Sequence, residues 1–130
     1  MAMRAVARPP AELLMRYWLP VVVYLGLVQF IGMQPDLQVP MLFPDADKAV
    51  HVLEYLGVGV LLARAIRASV RAPVPIRTAL LAVGLGLGMG AADEFIQSFV
   101  PSRMSSVNDL LADGTGLLLA QFIYLLAVRE

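Results

Sequence analysis

The sequence has no cysteine and few charged residues, which make up 15% of its 130 positions, against about 25% in ordinary soluble domains. The missing cysteine excludes disulfides, thiolate metal sites and a cysteine nucleophile. Acidic and basic residues cancel to a formal net charge of zero, so nothing indicates a nucleic-acid partner. Apolar residues, by contrast, reach 59%. A soluble domain of this size would have too little polar surface to cover itself, which indicates an integral membrane protein.

The apolar residues fall into four blocks, each close to the roughly 20 helical residues that a hydrocarbon core about 30 Å thick requires. Helix is the predicted conformation, because backbone groups in lipid must bond within their own segment. The blocks cover about 17–33, 48–66, 77–100 and 107–128. No small-x-small cleavage site follows the first block, which favours a retained span over a signal peptide. We predict one domain, residues 1–130, that is an all-α, membrane-spanning bundle of four antiparallel helices.

The basic residues are divided unevenly between the two sides of this predicted bundle. Eight of the ten lie in the N-terminal arm, in the second loop region and after the last block, whereas only Lys48 and Arg103 lie in the other loops. The positive-inside rule then predicts a multi-pass protein of the cell membrane with both termini in the cytoplasm. On this topology Tyr17, Trp18 and Tyr124 lie near the inner interface, and the arginines of the second loop set the orientation and contact anionic lipid head groups.

Ionisable and polar residues gather at the end of the bundle that is predicted to face outward. On the second helix, Lys48, His51 and Tyr55 share one stripe through their i, i+3, i+7 spacing, and Glu54 lies beside it. The third and fourth helices and the short loop between them bring further polar residues to the same depth. These are Asp93, Glu94, Gln97, Arg103, Ser106, Asp109 and Asp113.

Small residues continue the polar stripes of the last two helices towards the middle of the membrane. Gly86 and Gly90 precede Asp93 on one stripe, and Gly116 and Ala120 follow Asp113 on the other. Small residues let helices approach closely, and a charge facing lipid at the bilayer centre costs about 3 kcal/mol or more. Both stripes are therefore predicted to face the bundle interior. The glycine run is not a nucleotide loop, because no strand precedes it.

The carboxyl groups outnumber the cations at this predicted site. In a low dielectric, some carboxyls carry a proton, a cation binds, or some side chains reach interfacial water. One histidine with several carboxylates suits Mg²⁺, Mn²⁺ or Zn²⁺. No HExxH or other metal-specific motif is present, so a divalent cation is a candidate cofactor without an assigned ligand set. The five carboxyls are those of Glu54, Asp93, Glu94, Asp109 and Asp113, against the cations Lys48 and Arg103 and a protonatable His51.

The polar residues fall in three motifs, DKAVHVLEYLGVGVLL, DEFIQSFVPSR and SVNDLLADGTG. These motifs occur in the order found in VanZ-like membrane proteins, and the chain resembles that family over about residues 47–120. Asp113 departs from the pattern, which usually has Asn there. The resemblance implies a relation to low-level resistance to teicoplanin, a glycopeptide that acts on the outer face of the membrane. The matching positions are Asp47, Lys48, His51, Tyr55, Asp93, Glu94, Gln97, Pro101, Arg103, Ser106 and Asp109.

Three functions are compatible with these residues, and whether the protein is an enzyme is left open. The first is a cell-envelope protein that binds or modifies a lipid-linked or glycan ligand. The second is a small transporter or proton-coupled carrier. The third is a non-catalytic scaffold, with the polar residues joining the helices. Membrane lipid, the ligand and a second copy in a homo-oligomer are the expected partners. For the first function, the catalytic candidates are His51, Glu54, Asp93, Glu94 and Asp109, and the ligand-binding candidates are Lys48, Tyr55, Gln97, Arg103, Ser106 and Asp113.

Overall fold

A computed structural model describes residues 7–34, 42–71, 74–101 and 106–127. The described chain forms four long helices and no strand. Each helix has 21 to 24 residues and is therefore about 32–36 Å long, enough to cross a hydrocarbon core of about 30 Å. For the described residues, the prediction of an all-α fold with four helices long and apolar enough to cross a membrane is confirmed. The helices are α1, Pro10–Gly32; α2, Ala46–Ser69; α3, Pro75–Gln97; and α4, Val107–Ala127.

Local sequence explains where three of these helices begin. Pro75 lies in the first turn of α3, where a missing amide proton costs no hydrogen bond. Ser106 caps α4, since its Oγ accepts the backbone N–H of Asp109 at 3.2 Å. Asp45 precedes α2 with φ of 60°, a left-handed conformation that Asp tolerates better than most residues. The starts of α2 and α4 carry polar residues that take part in the site described below.

Helix α1 begins at Pro10, ahead of the predicted start of the first span near Tyr17, and includes a π-helical segment, Leu13–Trp18. Pro20 follows this segment and has no N–H to donate to the carbonyl of Arg16, four residues earlier. The Nη1 of Arg64 donates to that carbonyl instead, at 3.1 Å. The residues ahead of the predicted span include the charged Glu12 and Arg16, which interrupt an apolar block, and this is why the helix exceeds the predicted span.

Large apolar side chains are exposed on each of the described helices. Val22, Leu81 and Leu118 are 63%, 58% and 62% exposed. A soluble monomer rarely exposes contiguous apolar surface on this scale, and lipid removes the penalty. The burial pattern thus agrees with four membrane-crossing helices.

Helix α2 makes its most extensive contacts with α4, and glycine permits them. A Cβ added to Gly59 would lie 2.6 Å from the Cβ of Ala120 and 3.3 Å from the backbone of Leu117. A Cβ added to Gly116 would overlap the carbonyl oxygen of Val52. The two backbones are therefore in direct contact, and this contact sets the rotation and register of α2 against α4.

The small-residue stripes predicted to face the bundle interior do so. Gly86, Gly90, Gly116 and Ala120 are all buried, and a Cβ at Gly86 would overlap the side chain of Leu117. The glycine run lies inside helix α3 and is therefore not a phosphate-binding loop. Gly86 and Gly90 pack against neighbouring helices, whereas nothing lies within 4 Å of a Cβ added at Gly84 or Gly88.

Candidate functional site

Polar side chains of α2, α3 and α4 meet at one end of the bundle, as their spacing predicts. We call this group the polar cluster. Its members come from the first three turns of α2, the last two turns of α3 and the first two turns of α4 together with its cap. They are Asp47, Lys48, His51, Glu54, Tyr55, Asp93, Glu94, Ser106, Asp109 and Asp113.

Lys48 joins the start of α2 to the start of α4. Its Nζ lies 2.6 Å from Oδ2 of Asp47 and 2.5 Å from Oδ1 of Asp109. The Asp109 side chain is only 10% exposed, whereas that of Asp47 is 41% exposed. Because the inner carboxylate is largely removed from water, the contact with Asp109 is screened less than the contact with Asp47.

His51 makes the second connection between α2 and α4. Its Nδ1 lies 2.8 Å from Oδ1 of Asp113, and its Nε2 lies 3.9 Å from Oδ1 of Asp109. The side chain of Asp113 is 1% exposed. A carboxylate bound to one ring nitrogen sets which nitrogen carries the proton, so Asp113 orients the imidazole and leaves Nε2 facing Asp109.

Tyr55 connects α2 to α3 by donating its hydroxyl proton to Oδ2 of Asp93. The Tyr55 ring is 1% exposed, and it packs against Gly90, one turn before Asp93. A Cβ at Gly90 would lie 2.9 Å from Oδ2 of Asp113. Gly90 is therefore required for α3 to approach α4 at the depth of the buried carboxylate.

Glu94 connects α3 to the start of α4. Its Oε2 accepts the backbone N–H of Ser106 at 3.2 Å, so Ser106 both caps α4 and holds Glu94. Two buried carboxylate oxygens, Oε1 of Glu94 and Oδ2 of Asp113, have no hydrogen-bond partner within the described ranges. Buried acceptors are normally satisfied, and these two are free to accept a donor or to ligate a cation.

Three members of the polar cluster have the arrangement of a cation site. One ligand atom from each of His51, Glu94 and Asp109 lies within 4.8 Å of the other two. Ligands at 2.0–2.6 Å on opposite sides of an ion are about 4–5 Å apart, so the three groups fit around a divalent cation. The donor set of one imidazole and two carboxylates suits Mn²⁺ or Zn²⁺ best and Mg²⁺ less well.

The structure describes two further predicted site residues, Gln97 and Glu54. The Gln97 side chain lies against Gly32 of α1, one turn beyond Asp93 at the end of α3. Glu54 interacts electrostatically with His51 and Tyr55, and its backbone carbonyl accepts the hydroxyl proton of Tyr24 at 3.0 Å. Arg103 lies outside the described residues.

Sequence reasoning did not assign two residues that the structure brings to the site. Asp47 binds Lys48, and its place beside Lys48 in the first motif was the available signal. Tyr24 of α1 reaches Glu54 across Gly57, where a Cβ would overlap the Tyr24 hydroxyl. A single tyrosine within an apolar span carries no signal of its own, because only the packing of α1 on α2 gives it a partner.

The four apolar helices and the buried polar cluster define a multi-pass membrane protein with ionisable groups shared among three helices. The family model described as VanZ/LLP1 matches residues 8–128, nearly the whole chain. The chain therefore belongs to the VanZ/LLP1 family, which confirms the resemblance seen in the three motifs. Searches of curated proteins and of solved structures found no match.

Proposed function

We propose that this protein resides in the cell membrane and that its polar cluster opens to the outer face, where it binds or modifies a lipid-linked or glycan ligand. The observation that carries the proposal is the meeting of three helices at a group of buried ionisable side chains, two of whose carboxylate oxygens have no described partner. Ionisable residues inside membrane proteins are costly and usually mark functional sites.

The proposed topology is a single domain of four antiparallel helices. Between α1 and α2, Trp18 binds Ser69 and Tyr24 binds Glu54, so residue numbers rise along α1 while those of their partners on α2 fall. Between α2 and α4, each hydrogen-bonded pair is 61 or 62 residues apart in sequence, so the residue numbers of both partners rise together along the two helices. Consecutive helices of alternating direction would produce both patterns, and they support the arrangement.

The proposed orientation has both termini in the cytoplasm and the polar cluster outside. Its support is the distribution of basic residues, eight of ten on the side of the termini, which the positive-inside rule assigns to the cytoplasm. An outward cluster would be accessible to cell-envelope precursors and to glycopeptides that act there. This agrees with the relation to teicoplanin resistance that the family resemblance implies.

The balance of acceptors and donors favours a ligand rich in hydroxyl groups. Six carboxyl groups belong to the polar cluster, and its one lysine is already bound by Asp47 and Asp109. Sugar hydroxyls donate hydrogen bonds to carboxylates, so the unpartnered oxygens of Glu94 and Asp113 suit the glycan part of a precursor. We assign a lipid-linked phosphate, if present, to Arg103, a basic residue of the loop between α3 and α4.

A modifying reaction would use His51 as the proton-transfer group. The ring is held by Asp113 on Nδ1, and Nε2 lies 3.9 Å from Oδ1 of Asp109. This is the geometry of an oriented general base. Asp93 and Glu94 are the further candidates, because adjacent carboxyls on one helix are held by different partners, Tyr55 and Ser106.

The test is teicoplanin susceptibility of cells that express the chain. We expect His51→Ala and Asp93→Asn to abolish the resistance given by the unchanged chain, with normal membrane insertion. The matched control is Asp45→Asn, which removes one exposed carboxylate near the cluster and keeps the left-handed backbone, since Asn also tolerates it. Full resistance from both cluster variants, or none from the unchanged chain, would contradict the proposal.

The scaffold alternative makes a different prediction for the same variants. If the polar cluster only joins the helices, resistance would persist while thermal stability falls. The carrier alternative needs a polar route through the membrane. Away from the cluster, the buried Gln121 and Thr78 are bonded to backbone carbonyls, and they do not form such a route within one described copy. Tracer uptake in proteoliposomes would favour the carrier.

A second candidate is that the same site works with a divalent cation. The grouping of His51, Glu94 and Asp109 within 4.8 Å favours it. We expect the purified protein to bind one Mn²⁺, measured by electron paramagnetic resonance, and Glu94→Gln to lose this binding. Glu12→Gln, which neutralises a half-buried carboxylate on α1 outside the polar cluster, is the matched control. Equal Mn²⁺ binding by both variants would exclude Glu94 as a ligand.

A further inference from the structure

A second charged site lies at the other end of the bundle. A groove of about 390 Å³ runs between α1, α2 and α4, and we call it the arginine groove. Arg67, which lines it, follows His51 by sixteen residues on the same helix, a separation of about 24 Å. The groove is therefore distinct from the polar cluster. Its lining residues are Arg8, Tyr17, Arg64, Arg67, Ala68 and Tyr124.

Like charges are concentrated around one aromatic ring in this groove. The guanidinium carbons of Arg8, Arg64 and Arg16 lie 4.9, 4.7 and 5.7 Å from the centre of the Tyr17 ring. The ring attracts cations through its quadrupole, but it supplies no negative charge. Among the described carboxylates only Glu12 forms an ion pair here, at 3.7 Å from Arg16. The groove therefore has a net positive charge that an anion would balance.

The arginines are held in place by contacts that leave donors free. Arg64 donates one N–H to the backbone carbonyl of Arg16, and Arg67 stacks over the Tyr124 ring at 5.6 Å. A guanidinium has five N–H donors in a planar fork that matches phosphate oxygens. The remaining donors of Arg64 and Arg67, from adjacent turns of α2, can converge on one phosphate.

The surroundings of the groove indicate that this phosphate belongs to a lipid. Large apolar side chains within three residues of Tyr17 and Tyr124 in the sequence are exposed, among them Leu14 at 61%, Ile123 at 47% and Leu126 at 49%. Acyl chains would cover these side chains while the head group enters the groove. We propose that the arginine groove binds the phosphate head group of one anionic phospholipid, a site separate from the proposed function of the polar cluster.

Native mass spectrometry of the full chain in detergent with phosphatidylglycerol tests this proposal. We expect one retained phosphatidylglycerol, and about tenfold weaker retention in the double variant Arg64→Gln/Arg67→Gln, because charge-assisted hydrogen bonds are lost. The matched control is Arg71→Gln/Arg77→Gln, which removes two exposed arginines nearby. It should retain the lipid as the unchanged chain does. Phosphatidylcholine, which has no net charge, should not be retained.

Three results would overturn the proposal. The first is equal loss of lipid in both double variants, which would indicate diffuse charge attraction. The second is no loss of lipid in either double variant. The third is displacement of the lipid by millimolar inorganic phosphate, which would indicate a site for a soluble anion. Arg64 also supports α1, so Arg67→Gln alone is the second variant. Arg67 makes no described hydrogen bond to the backbone of α1. The variant should therefore retain phosphatidylglycerol more weakly while its circular dichroism stays unchanged.

Discussion

Asp113 is the residue whose chemistry contrasts most with its surroundings, because its carboxyl group is fully buried in a membrane bundle. Its side chain is 1% exposed, and its described partner is Nδ1 of His51 at 2.8 Å. The family that the chain resembles usually has Asn at this position, and an Asn would be neutral: it would need a hydrogen-bond partner but no countercharge. The Asp in this chain therefore makes its stability dependent on the imidazole of His51.

At the residue scale we predict strong coupling between His51 and Asp113. His51→Ala should cost about 1–3 kcal/mol of unfolding free energy, because it leaves Asp113 buried without its partner. His51→Ala with Asp113→Ala should cost less than the sum of the single changes, by about 0.5–3 kcal/mol. A double-mutant cycle from thermal unfolding in detergent measures this. Thr115, exposed on α4, provides the control: the losses of unfolding free energy from Thr115→Ala and His51→Ala should add. Additive losses for His51→Ala and Asp113→Ala as well would contradict the coupling.

At the scale of elements, the polar cluster depends on how closely α2 and α4 approach. Gly116 faces the backbone of Val52, and Gly59 faces the backbone of Leu117. Backbone cannot move aside as a side chain can, so these contacts fix the rotation and register of the two helices. That register brings Lys48 to Asp109 and His51 to Asp113, because each pair lies one or two turns from the glycine contacts.

We predict that Gly116→Ala separates α2 from α4. The added Cβ would overlap the Val52 carbonyl, so the variant should lose about 2 kcal/mol or more of stability, together with any cation binding at the polar cluster. Gly114→Ala is the matched control on the same helix, since its Cβ would meet only the end of the Leu87 side chain at 3.3 Å. Thermal unfolding of both variants tests this, and equal stability would contradict the role of Gly116.

On the scale of the whole molecule, two charged sites occupy opposite ends of an apolar bundle. Acidic groups predominate in the polar cluster, whereas arginines line the other end. The core between them is apolar, with Leu62 and Leu117 at 0% exposure. Such a division of charge orients a protein in the membrane, because basic residues stay preferentially on the cytoplasmic side.

The orientation can be tested with single cysteines, because the native sequence has none. Ser98→Cys lies next to the polar-cluster end of α3, and Arg71→Cys follows the other end of α2; both positions are exposed. In intact cells, a membrane-impermeant maleimide should label Ser98→Cys and spare Arg71→Cys. Permeabilised cells, as the control, should show labelling of both. The reverse pattern in intact cells would refute an outward-facing polar cluster.

The sequence by itself determined the four helices and the depth of their polar residues. Bilayer thickness sets the length of an apolar span, and the 3.6-residue period of a helix assigns side chains to a face. The length of a span and the face of a side chain can therefore both be read from one segment of sequence. Lys48, His51 and Tyr55 were therefore predicted to share a face with no knowledge of their partners.

Only the tertiary structure decided which partner each residue has. That Lys48 binds Asp109, Tyr55 binds Asp93 and the Gln97 side chain contacts α1 depends on helix rotation and register. These are set by close contacts between residues far apart in the chain, such as Gly116 with Val52. The gathering of arginines around Tyr17 likewise required α1 to pack on α2. A local pattern cannot encode such distances, because they arise from the packing of whole helices.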